Sequence, residues 1–177
     1  TGLNSAEYLY GLGKKEVDKY TISTVCMFRI TNIEEINEKI SRHLGNKVIT
    51  EVSRFFENNI SKDYLFVRYM GPKFVIVFSG VEADSLADFI NEIKESTEKL
   101  QISLKDNKSQ IEEMQIHPDL DDKAIANVKN KEEIYVSPRL NFVLTSYYKG
   151  TSMDGLTKKL EEYIDNADKS ESDINYI

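Results

Sequence analysis

The chain has 177 residues, 40% apolar content with ten Tyr and eight Phe, and a formal net charge of −7. That is enough apolar material for one packed domain and too much for a disordered chain. The acidic balance, without a basic stripe interleaved with aromatics, argues against a nucleic-acid partner, and no apolar run approaches the roughly 20 residues of a membrane span. No signal peptide opens the chain. One cysteine, Cys26, cannot form an internal disulfide and sits in an apolar pattern, where it reads as a small buried hydrophobe. His43 and His117 lie far apart and lack neighbours at ligand spacing, so neither a histidine metal site nor a Ser-His-Asp triad has support.

In chain order, residues 5–20 read as a helix loosened by Gly11 and Gly13, and residues 21–30 as a buried strand of β-branched and apolar types. Asn32 is placed to cap the next helix, with Glu35 completing a capping-box pattern. Ile33, Ile36, Ile40 and Leu44 give that helix one apolar face, and Gly45 is expected to break it. A second helix follows, on Val48, Ile49, Val52, Phe55 and Phe56. Tyr64 to Met70 and Lys73 to Ser79 form two strands around the turn pair Gly71-Pro72. An amphipathic helix is predicted from Ala83 to Lys99. The pattern fails over 103–133, an irregular acidic insertion with Asp119, Asp121 and Asp122, expected to face solvent or a partner. Asn141 to Tyr148 returns to a strand, and Met153 to Ala167 closes as a helix with Leu156, Leu160, Tyr163 and Ile164 inward. This order predicts an α/β (α+β) domain with a central, mostly antiparallel sheet flanked by helices.

The stretch Arg68-Tyr69-Met70-Gly71-Pro72-Lys73-Phe74-Val75-Ile76-Val77-Phe78, downstream of Val25 to Glu38, resembles the skeleton of a GGDEF domain, the bacterial diguanylate cyclase module. Asn37, Gly45 and the order of elements extend the resemblance from Thr1 to Asp168. It implies a nucleotide-cyclase palm-like fold over residues 1–177 as one domain. Thr1-Gly2-Leu3-Asn4 is similar to the second half of the family's D-x-L-T-G-L-x-N-R motif. The chain is therefore expected to be excised from a longer protein, cytoplasmic or tethered to a membrane through missing segments.

The resemblance also implies a site, and the residues depart from it. The family holds two Mg²⁺ ions on carboxylates, one ending the first strand in D-x-D-x-F-K-x-x-N-D and one at the third residue of the turn. Hard divalent cations require charged oxygen ligands for this work. Here those positions are Arg29 and Pro72, with Thr31 at the second aspartate and Lys73 at the acidic fourth turn residue. An arginine has no lone pair to offer a metal, and proline has neither carboxylate nor N–H. Asn37 matches the base-contacting asparagine, and Asn46 replaces the aspartate after Gly45. The phosphate-binding lysine of A-D-x-A-L-Y-x-A-K, counted from Ala167-Asp168, falls at Asn175. The inhibitory R-x-x-D motif for cyclic di-GMP falls at Ser61 to Tyr64, without its arginine or aspartate.

The expectation is a degenerate GGDEF domain with no catalytic residues, no metal and no cofactor. It would serve as a regulatory or interaction module whose partners are another protein or adjacent domains. The alternative is a sensor that binds GTP or another phosphorylated nucleotide without metal. Its vestigial nucleotide pocket would be Arg29, Asn37, Asn46 and Lys73, with Arg29 and Lys73 adjacent and uncompensated. If the site has lapsed, those cations are solvated side chains, with Glu34 and Glu35 as candidate partners.

Overall fold

The strand β1, Ile22–Ile30, is the axis of the molecule. The structure is a computed structural model that describes residues 3–104, 134–166 and 172–177. The expected 103–133 insertion therefore lies, from residue 105 on, outside the described residues.

Around β1 the described elements are a π-helical turn, Leu9–Gly13, running into the short α1, Lys14–Val17, then α2, Ile33–Lys39, and α3, Arg42–Asn59. The hairpin strands β2, Leu65–Met70, and β3, Lys73–Phe78, come next, then a 3-10 turn, Ala83–Leu86, and α4, Ala87–Glu98. The chain closes with β4, Leu140–Tyr148, α5, Met153–Asp165, and β5, Ile174–Tyr176. The sheet order is β2-β3-β1-β4-β5, antiparallel except for the β4–β5 pair.

β1 reads as an almost unbroken apolar run because both its faces are covered. Cys26, Phe28 and Ile30 face the layer of α2, α3 and α4. Val25 and Met27 face the layer of the N-terminal turn, α1 and α5. The period of two along a strand splits one sequence between two cores. Cys26 is fully buried, and desolvation alone pushes its thiol well above the usual range.

Several predicted details change. Gly45 does not end a helix: α2 stops at Lys39 and α3 starts after Ser41, whose hydroxyl accepts from Leu44 N at 3.1 Å. Gly45 lies inside α3 because α2 crosses there. A Cβ on Gly45 would stand 1.8 Å from Asn37 Oδ1. Asn32 makes no side-chain cap bond to α2. Its amide instead donates to Ser137 O at 2.9 Å and accepts from Arg139 N at 3.0 Å, tying the end of β1 to the approach to β4. β5 was not anticipated. Asn175, counted onto the family's phosphate-binding lysine by the resemblance, sits in β5 opposite Val143.

Candidate functional site

The hairpin turn is built from Met70 to Lys73. Gly71 has φ +54, and proline follows with φ fixed near about −65°. A positive first φ is what the type II′ hairpin requires, and only glycine adopts it without strain. Arg68 Nε donates to Gly71 O at 3.0 Å, and Ile30 N donates to Pro72 O at 3.0 Å. The turn is thus bound both to its own strand and to the end of β1. The ladder is irregular between Arg68 and Met70, at Tyr69.

In the register of the sheet, Arg29 stands opposite Lys73 on one side and Asn141 on the other. Directly opposed residues in an antiparallel pair share a face, with Cβ atoms about 5 Å apart. The expected adjacency of Arg29 and Lys73 is therefore present at the level of the backbone. Their face is the one covered by α5.

Lys73 is not uncompensated. Its ammonium lies 2.7 Å from Asp165 Oδ1 and 3.7 Å from Glu161 Oε2, and its side chain is only 14% exposed. Glu161 and Asp165 are one turn apart on α5, so both carboxylates look down at the same strand position. Leu160 and Ile164, buried on the same helix, hold α5 against the sheet. Arg29 is half-buried, and its side chain makes no hydrogen bond or ion pair with the described residues. Glu35, one of its suggested partners, is instead held by Lys39 at 2.8 Å. That contact draws the Glu35 carboxyl below its ordinary range.

Tyr69 belongs to the same cluster. Its phenol is pushed up to about 12, first by burial and then by the Tyr10 and Glu161 groups beside it. The folded state therefore favours the neutral phenol. That contribution is complete below the ordinary value near about 10 and fades as pH rises towards 12. Denaturant melts at pH 9 to 12 are expected to lose stability more gently in Tyr69→Phe than in the native chain. Parallel slopes would contradict this.

Asn37 and Asn46 belong to the other layer, on α2 and α3. The Asn37 amide oxygen is buried against Gly45 with no hydrogen-bond partner, whereas Asn46 is exposed. Among the described residues, no hydrogen bond or ion pair joins these asparagines to the Arg29–Lys73 pair. A cleft of about 860 Å³ opens beside the end of β1, lined by Thr31, Asn32, Lys39, Glu98, Arg139 and Asn141 among others, and none of the four residues lines it.

The metal ions implied by the family resemblance do not fit these residues. Arg29 has five donors and no acceptor, and Pro72 supplies only a carbonyl already used by Ile30 N. The carboxylates that do reach the site, Glu161 and Asp165, hold an ammonium. Sequence reasoning missed both. Their signal was an i,i+4 acidic pair flanking the buried Leu160 and Ile164, above a lysine on an otherwise apolar strand face.

Three comparisons bear on this arrangement. The family model described as "Diguanylate cyclase, GGDEF domain" matches residues 6–119. No curated protein sequence matches the chain. Among solved structures, the diguanylate cyclase SiaD from Pseudomonas aeruginosa, in complex with its activator SiaC, is similar with TM-score 0.74 at 13% identity. The match covers 100% of this chain but only 60% of SiaD. The GGDEF domain of DgcB from Caulobacter crescentus, in complex with c-di-GMP, gives TM-score 0.73 at 12% identity, covering 99% of this chain and 91% of that one. The FimX GGDEF domain from Pseudomonas aeruginosa gives 0.73 at 9%, covering 100% and 96%. At such identities the likeness is one of fold.

Proposed function

We propose, from the premise that the chain belongs to the GGDEF diguanylate cyclase-domain family, that it is a catalytically inactive member acting as a regulatory or protein-interaction module in bacterial signalling. The observation that carries this reading is the charge at the site. A guanidinium stands at the first metal position, and an ammonium is seated between the two carboxylates that reach the turn. A divalent cation placed there would meet like charges, and the two carboxylates that reach the turn among the described residues already face the Lys73 ammonium. The protein-partner half of the proposal draws support from SiaD, which is solved with an activator protein. Among the described residues, no helix is long and apolar enough to cross a membrane. We place the domain on the cytoplasmic side, where GGDEF domains signal.

Arg29 favours a second reading. A half-buried guanidinium with no partner among the described residues is a ready contact for a phosphate. On that reading the domain senses a phosphorylated nucleotide without metal. Thermal-shift measurements with GTP separate the two. The interaction module shows no change in Tm with GTP, with or without Mg²⁺. A sensor shows a rise that survives EDTA and disappears in Arg29→Ala.

Restoring Asp at 29 and Glu at 72 together is expected not to bring back robust turnover. Lys73, Thr31 and Asn46 still depart from the family pattern, and groups that act as a catalytic unit are not additive. A double variant turning over near about 1 s⁻¹ would show that the decay is shallower than proposed.

A further inference from the structure

The Lys73 half of the cationic pair at the sheet end already has an occupant. Arg29 and Lys73 supply two positive charges on one face. Glu161 and Asp165 supply two negative charges from the helix lying over it. Both carboxylates answer Lys73, Arg29 has no ion-pair partner among the described residues, and the neutralising charges come from the chain itself.

The geometry points to an autoinhibitory contact: we infer that Glu161 and Asp165 of α5 act as an internal counter-anion, occupying Lys73 and so denying this cationic site to phosphate-bearing ligands. Three features distinguish the contact from an incidental surface pair. The Lys73 side chain is 14% exposed, against 28% for Glu161 and 45% for Asp165, so the ammonium is the sheltered end of the contact. The turn bearing Lys73 is pinned by Arg68 and by Ile30, which fixes the backbone position from which the ammonium reaches α5. Glu161 Oε2 is buried without a hydrogen-bond partner, so Lys73 is the cation that answers it. Carboxylates and phosphates compete for the same donors on an ammonium or a guanidinium. A carboxylate tethered on a packed helix competes at high effective concentration. Displacing it requires an external anion to outbid an intramolecular one, or requires α5 to move.

This inference deepens the proposed function and assumes that the site binds no metal. Its test reads anion binding, not turnover, so the two can fail separately. The probe is inorganic phosphate, compared with sodium chloride at equal ionic strength and with EDTA present. The native chain is expected to show no phosphate-specific change in Tm. The isosteric variant Glu161→Gln/Asp165→Asn is expected to start from a lower Tm. It should then gain about 3 °C or more at about 50 mM phosphate. Adding Lys73→Met to that variant should abolish the gain, since the freed ammonium is what phosphate would hold. If the double variant folds poorly, Asp165→Asn alone, which loses the 2.7 Å contact, should show the same gain in weaker form. A variant that gains nothing from phosphate overturns the inference. So does a native chain stabilised as strongly as the variant, or a gain that survives Lys73→Met.

Discussion

Phe28→Ala is expected to cost about 3–5 kcal/mol, the range for emptying a fully packed aromatic site. Phe28 is 0% exposed and sits on the central strand. Its ring stacks on Phe56 at 4.2 Å and Phe74 at 5.1 Å, with Phe142 at 5.2 Å and Phe66 at 6.2 Å. Those partners come from α3, β3, β4 and β2, so the side chain is the point where the sheet and its covering helix meet. Three of the neighbouring rings are fixed by strand registers and Phe56 by the packed helix α3, so they cannot close the void. A domain of this size loses roughly 2–4 °C of Tm per kcal/mol, which makes the expected fall about 6–20 °C. A fall of only a degree or two in thermal melts would mean that this cluster is not the centre of the core.

Gly80→Ala is the second large effect, for a different reason. Gly80 has φ +73, and an added Cβ would stand 2.7 Å from the Tyr20 ring. The ring is 47% exposed and can yield, but the backbone cannot change sign. The Gly80 amide donates to Ser23 Oγ at 2.9 Å, and Thr24 Oγ1 donates to the next carbonyl, Val81 O, at 2.8 Å. Both bonds fasten the exit of β3 to β1. A left-handed conformation costs a non-glycine residue roughly 1–2 kcal/mol. Displacing the ring and straining the two bonds add to that. A Tm lower by about 3 °C or more is the expected result in a thermal melt. An unchanged Tm would show that the turn re-forms with negative φ.

The sheet was legible because its signal is short-range. The short apolar run of Lys73–Phe78, the double-faced run of Ile22–Ile30 and the Gly71-Pro72 turn each state their conformation within a few residues. The break between α2 and α3 was read at Gly45, because glycine is the commoner helix breaker. The operative signal was Ser41 as an N-cap, and Gly45 answers to a contact with Asn37 that no local pattern encodes. β5 is three residues long and is defined by its neighbour: Phe142 N donates to Asp173 O at 2.7 Å. At the site, the register that pairs Arg29 with Lys73 followed from recognising two strands of one family frame. The neutralisation of Lys73 did not, because Asp165 lies 92 residues away and acidic residues on helices usually face water. Asn32 illustrates the same limit. Its local pattern reads as a cap, and a distant backbone took its amide instead.

The central claim is that this member of the family has kept the frame and lost the reaction. The measurement that meets it most directly is product formation: the purified chain incubated with GTP and Mg²⁺ or Mn²⁺, with cyclic di-GMP quantified against a no-protein blank. The account predicts no cyclic di-GMP above the blank with either metal, because Arg29, Pro72 and the Lys73 ammonium stand where anionic ligands would be needed. Cyclic di-GMP accumulating in proportion to protein, in a preparation free of other cyclases, would contradict it.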